Sequence, residues 1–242
     1  MLSWKEYLVK IYFLFILSSI TFLLLDQQGL FFASKFFILP TLMVLIFKCF
    51  QRSNHKLIPI LLVATFFSFL GDVLIIIEDE NFFKMISLSS FLVAQVGYAY
   101  MFMTSHKYNK KEVSSDKIKR WPEIAAILII GALVWIVTPE MEEFFLLGII
   151  YGIIACFSMV LALDRRFYVS RKSYFTVLYG LILFYLSDIL AGLDLELTNQ
   201  FIHILIILSF AFGHYLIVSG IFLQVREDTS KKEASDLDAF IK

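Results

Sequence analysis

Eight apolar stretches of about twenty residues, joined by short polar connections, constrain the fold of this 242-residue chain more than any other feature. An α-helix rises 1.5 Å per residue, so about 20 apolar residues cross the ~30 Å hydrocarbon core of a bilayer. Hydrophobic residues make up 60% of the chain and charged residues only 17%, which excludes an ordinary soluble domain. We therefore predict an all-α polytopic membrane bundle of eight transmembrane helices, with spans at residues 7–25, 31–50, 57–77, 83–103, 121–138, 144–163, 173–193 and 200–224.

The spans use most of the chain, which predicts one transmembrane domain over residues 1–225. The tail of residues 226–242 is polar and mixed in charge, and we expect it to be disordered. The first span lacks a small-x-small cleavage site, so it is interpreted as a retained helix and not as a signal peptide. Cys49 and Cys156 lie in or beside spans and indicate neither a disulfide framework nor a metal cluster. No cofactor and no metal are expected.

The zero net charge conceals a strong asymmetry along the chain. All lysines and arginines except Lys35 and Lys84 lie at the termini or in alternate connections, and the other connections are acidic. The positive-inside rule then predicts a cell (inner) membrane protein with both termini in the cytoplasm, as an even number of spans also requires. This topology and attraction to anionic lipid explain the basic run at residues 106–120. The lipid bilayer, and not nucleic acid, is the expected partner.

Two aspartates lie deep inside apolar spans, Asp72 in the third and Asp188 in the seventh. An ionised carboxylate inside a bilayer costs several kcal/mol unless it is partnered. No structural role readily offsets that cost. Both aspartates are therefore candidate catalytic residues.

The chain also shows an internal similarity at an offset of 116 residues. It aligns the segment 69–74 with 185–190, which makes Asp72 and Asp188 equivalent. One helix later, with three extra loop residues, Gln95 aligns with His214. Two parallel four-helix repeats, about 1–110 and 120–225, would be related by an axis along the membrane normal, so the aspartates would face each other at one depth. Chance similarity between apolar helices is the alternative.

Depth along the helices predicts which polar side chains share a layer with the aspartates. Lys35 lies about one turn inside the outer end of its span, which brings it to their level, while Gln95 and His214 lie one to two turns deeper and could floor a cavity. Lys35 either reaches to the interface or has a role in the site. The alternative for His214 is a packing role. Gln95, Tyr98 and Ser187 are candidate supporting residues or hydrogen bonds between helices.

The order and spacing of several motifs resemble the YhhN-like lysoplasmalogenase family from the second span through the eighth. These motifs are Ser68-x-x-Gly71-Asp72, then Phe91-Leu92-Val93-Ala94-Gln95-x-x-Tyr98, then Tyr151 with Met159 and Ala162, and Gly180-x-x-x-Phe184-x-x-Ser187-Asp188. The resemblance implies a membrane hydrolase that cleaves the vinyl ether bond of lysoplasmalogens to a fatty aldehyde and glycerophospho-ethanolamine or glycerophosphocholine. Its substrate would be a single-chain alkenyl lysophospholipid, and Lys35 would either bind the substrate phosphate or hold one aspartate ionised.

The chain departs from the family pattern at three positions. Gln95 stands where the family commonly has His, and His214 stands where it commonly has Gln, an exchange that looks compensatory between equivalent positions. Lys35 matches a second-span lysine, but Phe36 replaces the proline that often follows it. These departures bear on substrate preference more than on the class of reaction.

The residues also suit this chemistry on their own. A vinyl ether is hydrolysed when an acid protonates its β-carbon and water captures the oxocarbenium ion. Two buried carboxyl groups near each other favour one protonated and one ionised partner, which supplies a general acid and an anion. A proton- or ion-coupled transporter of small molecules or lipids is the main alternative, because repeats and intramembrane aspartates suit it equally. A structural or lipid-scaffolding protein is the third interpretation.

Overall fold

The computed structural model describes residues 4–51, 55–77, 81–105, 120–193 and 199–241, and these residues are helical almost throughout. No strand occurs in these ranges. Two short 3-10 helices, Thr138–Phe144 and Arg165–Phe167, flank the seventh α-helix. The α-helices in chain order are α1 Trp4–Leu24, α2 Gln28–Phe36, α3 Ile38–Phe50, α4 Leu57–Ile77, α5 Asn81–Ser105, α6 Trp121–Val137, α7 Phe145–Asp164, α8 Arg171–Leu193 and α9 Gln200–Ile241.

The lengths of these helices confirm the predicted polytopic helical bundle. Within the described residues, seven helical segments are long and apolar enough to cross a membrane, with α2 and α3 together forming one of them. The eighth span is α6, a shorter apolar helix. It has 17 residues and is continued by the 3-10 helix that follows it. The expected side of the membrane for each end stays a prediction, and the basic run at 106–119 and the acidic residues at 78–80, 194 and 196 lie outside the described ranges.

The second span differs from the prediction because it is broken between α2 and α3. Phe37 separates the two helices, and its amide N bonds the Ser34 carbonyl O at 3.3 Å. Pro40 explains the break, since a proline has no N–H for the carbonyl of Phe36 four residues earlier and its ring crowds that carbonyl. Lys35 therefore lies in the last turn of the first of the two helices that form this span.

The tail also differs from the expected disorder. Helix α9 has 42 residues and continues through Ile241, so the backbone of residues 226–241 is helical. Helix growth adds one hydrogen bond per residue once a nucleus exists. The apolar part of α9 supplies that nucleus, and the Lys, Glu, Ala and Leu residues beyond it have high helix propensity.

Two antiparallel helix pairs, α4 with α5 and α8 with α9, form the centre of the bundle. A Cβ atom on Gly97 would lie 3.0 Å from the Ala64 Cβ, and one on Gly180 would lie 2.8 Å from the Gly213 carbonyl O. Small residues at both crossings let the backbones approach closely, which is how helices associate in a medium that supplies no hydrophobic drive.

A hydrogen bond recurs in these pairs at the positions that the sequence similarity aligns. Ser87 Oγ on α5 donates to the Gly71 carbonyl O at 2.7 Å. Ser187 Oγ on α8 donates to the Ile206 carbonyl O at 3.1 Å. Ser187 is the equivalent of Gly71, and Ile206 is the equivalent of Ser87 once the three extra loop residues are counted. The two pairs therefore share one packing register. The full four-helix repeats and their axis stay predictions.

We expect Gly180→Ala to destabilise the protein by about 1–3 kcal/mol, because the new methyl group meets fixed backbone atoms of α9. Those atoms are the Gly213 carbonyl O and the Ile217 N, each 2.8 Å from the added Cβ. Thermal unfolding in detergent measures the loss. Gly131→Ala is the matched control, since a Cβ there meets nothing within 4 Å. Equal melting temperatures for the two variants would contradict close packing of α8 on α9.

Candidate active site

A cavity of about 190 Å³ lies at the end of the bundle where α4 joins α5 and α8 joins α9, and both aspartates line it. Lys35, Tyr151 and His203 are its other main polar groups. One wall is apolar and comes from α6, the 3-10 helix after it and the start of α7, with Ile130, Leu133, Val134, Val137, Met141 and Leu147. The cavity therefore offers a few polar groups beside an aliphatic wall, the usual composition of a ligand site.

Asp72 forms an ion pair with Lys35. Lys35 Nζ lies 2.9 Å from Asp72 Oδ1, and the side chains are 8% and 14% exposed. An adjacent ammonium group favours the ionised carboxylate. Of the contacts expected for Lys35, the one observed is this ion pair with Asp72, and the role of Lys35 stays a prediction.

Asp188 has a different neighbour. Tyr151 Oη donates to Asp188 Oδ2 at 2.5 Å. No described cation forms an ion pair with Asp188. The two carboxyl groups thus face one cavity with different partners, a cation for Asp72 and a neutral hydroxyl for Asp188.

These two partners occupy equivalent positions in the sequence. The offset of 116 that aligns Asp72 with Asp188 also aligns Lys35 with Tyr151. In the structure each of these residues contacts the aspartate of its own half. The two halves that the offset aligns therefore carry a lysine in one and a tyrosine in the other beside a carboxyl group.

Gln95 lies behind Tyr151 and does not line the cavity. Its Nε2 donates to Tyr151 Oη at 2.9 Å, and its Oε1 lies 3.3 Å from Tyr185 Oη. The Tyr185 hydroxyl is also 3.0 Å from the Ala155 carbonyl O. Gln95 was predicted to floor the cavity, whereas it supports a cavity residue from the far side, because its helix face turns it toward α7.

His214 and Tyr98 are also absent from the cavity wall. His214 Nδ1 lies 2.9 Å from the Phe210 carbonyl O one turn earlier, so it donates to its own helix. This bond holds the ring against Phe210, with 4.4 Å between centroids, and the ring also meets Phe184. Tyr98 packs its ring on Phe184 and is fully buried. The packing role left open for His214 is the one observed, and Gln95 and His214 bond different partners.

Ser187 does line the cavity, although its hydroxyl is directed to the Ile206 carbonyl. Sequence reasoning missed His203, whose ring lines the cavity and packs edge-on against Phe31 at 5.2 Å. A histidine one turn inside an apolar span was the available signal. Tyr151 was noted only within the family motifs and Tyr185 was missed, although the 116-residue offset aligns Lys35 with Tyr151.

Among the described residues, no group of three or more His, Cys, Asp and Glu side chains converges as a metal ion would require. The expectation that activity needs no metal stays a prediction.

Helical membrane spans around a mostly apolar cavity with two carboxyl groups in unlike surroundings define an integral membrane protein with a candidate acid-base site. The model of the YhhN family matches residues 30–221 of this chain, so the protein belongs to the YhhN family. This match covers both aspartates, Lys35 and Tyr151. No curated protein and no solved structure matches the chain.

Proposed function

We propose that this protein is a hydrolase that cleaves the vinyl ether bond of lysoplasmalogens, releasing a fatty aldehyde and glycerophospho-ethanolamine or glycerophosphocholine. The observation that carries the proposal is the unlike pairing of the two carboxyl groups on one cavity, Asp72 with Lys35 and Asp188 with Tyr151. Membership of the YhhN family supports the same reaction class.

In this mechanism Asp188 is the general acid. A carboxyl group in a low-dielectric site without a cationic partner favours its protonated form. Asp188 transfers its proton to the β-carbon of the vinyl ether, which becomes an oxocarbenium ion. The Asp72 carboxylate, kept ionised by Lys35, stabilises that cation. This division of labour resembles that of the two carboxyl groups in glycosidases.

Water then completes the reaction. It adds to the cationic α-carbon while Asp72 takes its proton, which gives a hemiacetal. The hemiacetal collapses when its hydroxyl proton passes to Asp188 and the carbon–oxygen bond to glycerol breaks. The glycerol oxygen takes the proton held by Asp72, so both carboxyl groups return to their starting states and the aldehyde leaves.

The cavity walls suit a single-chain lipid. The apolar wall from α6 and α7 would hold the aliphatic chain, and the polar side with Lys35 and His203 would face the glycerophosphate end. By the positive-inside rule this end of the bundle faces away from the cytoplasm. The proposed location is the cell membrane, with lipid entering from its outer leaflet.

Aldehyde release from purified protein tests the function. A defined lysoplasmalogen should yield stoichiometric fatty aldehyde, while its saturated alkyl-ether analogue should yield none, because an alkyl ether cannot be protonated at carbon. A chelator should leave the rate unchanged if no metal takes part. Absence of aldehyde from folded wild-type protein would contradict the proposal.

A coupled transporter is the second candidate, and the break between α2 and α3 beside the Lys35–Asp72 pair favours it. Interrupted helices at charged sites are typical of ion-coupled carriers. Uptake of intact lysolipid into proteoliposomes without aldehyde formation would support transport over hydrolysis.

A further inference from the structure

The hydrogen bonds behind Asp188 form a chain that runs in one direction. Gln95 Nε2 donates to Tyr151 Oη at 2.9 Å, and Tyr151 Oη donates to Asp188 Oδ2 at 2.5 Å. Bonds that point the same way polarise and strengthen one another in a low-dielectric site. These hydrogen bonds connect Gln95 on α5, Tyr151 on α7 and Asp188 on α8. The hydroxyl that bonds Asp188 is therefore held in place by a residue of a second helix.

The Gln95 amide gives this chain its direction. Its nitrogen donates to Tyr151, so the single hydroxyl proton of Tyr151 is left for the carboxyl group. The one hydroxyl proton of Tyr185 has its shorter bond to the Ala155 carbonyl O at 3.0 Å, and the Tyr185 contact with Gln95 Oε1 is longer at 3.3 Å. Gln95 is fully buried, so water does not compete for these bonds.

We propose that Tyr151, oriented by Gln95, is the positioning residue that orients Asp188 as the acid, and that the Lys35 to Tyr151 difference between the two halves assigns the roles of the two aspartates. This inference rests on the proposed function and deepens it. Tyr151 occupies Oδ2, so Oδ1 carries the proton that reaches the substrate. Lys35, at the equivalent position, instead supplies a charge that keeps Asp72 ionised.

The lysine and the tyrosine impose different states on otherwise similar carboxyl groups. A hydroxyl donor bonds both states of a carboxyl group and favours the anion much less than an adjacent ammonium group does. Two cations would leave two anions and no acid, and two hydroxyls would leave no fixed anion. The unlike partners therefore leave one carboxyl group as an acid and one as a fixed anion, and the proposed reaction requires both.

Infrared spectroscopy of the protein without substrate tests the assignment independently of hydrolysis. The carbonyl band of a protonated carboxyl group at neutral pH should vanish in Asp188→Asn and persist in Asp72→Asn. It should shift in frequency in Tyr151→Phe and in Gln95→Met, and disappear in Tyr151→Lys. Tyr12→Phe is the matched control, because its hydroxyl makes a buried bond of 2.7 Å to the Ala211 carbonyl far from Asp188 in sequence. A band that vanishes in Asp72→Asn, or does not shift in Tyr151→Phe, would overturn the proposal.

Kinetics supply the second test. Tyr151→Phe should lower kcat by about 10- to 100-fold with KM changed less than about twofold, since the lost bond orients the acid and not the substrate. Gln95→Met should lower kcat less, and should add nothing in the Tyr151→Phe background, because Gln95 acts through Tyr151. If the two substitutions instead lower kcat multiplicatively, Gln95 does not act through Tyr151 and the proposal is overturned. If the carbonyl band shifts as expected in the variants but the wild-type protein releases no aldehyde, the hydrogen-bond assignment is upheld and the proposed function is rejected.

Discussion

Asp188→Asn is expected to reduce aldehyde release by at least about 100-fold, within the range that a lost general acid costs. The amide has nearly the shape of the carboxyl group and can still accept from Tyr151 Oη, but it has no acidic proton for the β-carbon of the vinyl ether. The fold should persist, because the substitution removes no ion pair from Asp188. The measurement is initial rate of aldehyde release in detergent, with the melting temperature of the same preparation.

Asp26→Asn is the matched control for this variant. Asp26 lies outside the cavity in the exposed connection between α1 and α2, with a φ of 54°. Asn adopts this left-handed conformation as readily as Asp does, so both rate and stability should stay at wild-type levels. If Asp188→Asn keeps a rate within a few fold of this control, Asp188 is not the acid.

Lys35→Met is expected to be the most destabilising single substitution at the site. It leaves the Asp72 carboxylate buried without its ammonium partner 2.9 Å away, and removal of one member of a buried ion pair costs about 3–5 kcal/mol. For a chain of this length such a loss corresponds to roughly 6–20 °C in melting temperature. Thermal unfolding in detergent measures it.

The double variant Lys35→Met with Asp72→Asn tests whether the unpaired charge of Asp72, and not the loss of the Lys35 side chain itself, destabilises the protein. It should recover most of the lost stability, because no unpaired charge remains buried, yet it should stay inactive because the anion is gone. Lys172→Met, at an exposed position at the start of α8, is the control and should change stability by less than about 0.5 kcal/mol. A double variant no more stable than Lys35→Met alone would refute the buried pair as the cause.

The positions of the membrane helices along the chain could be predicted from the sequence, because they follow from the length of the apolar runs. Apolar runs of about twenty residues predicted the helical membrane fold, and Asp72 and Asp188, which the offset of 116 aligns, both line one cavity. Charge inside a span marked the aspartates and Lys35, since an isolated charge there is costly. The break at Phe37 was less readable, because a proline inside a span kinks some helices and interrupts others.

Only the tertiary structure decided which way each side chain faces. Membrane helices here are apolar all round, so no hydrophobic stripe reveals the buried face of α5 or α9. The sequence therefore predicted the depth of Gln95 and His214 but not their rotation, which sends Gln95 to Tyr151 and turns His214 onto its own helix. The rotation of the helices also decides which residues bond the two aspartates. Lys35 meets Asp72 and Tyr151 meets Asp188 because of how neighbouring helices pack, and a one-dimensional pattern does not contain that rotation.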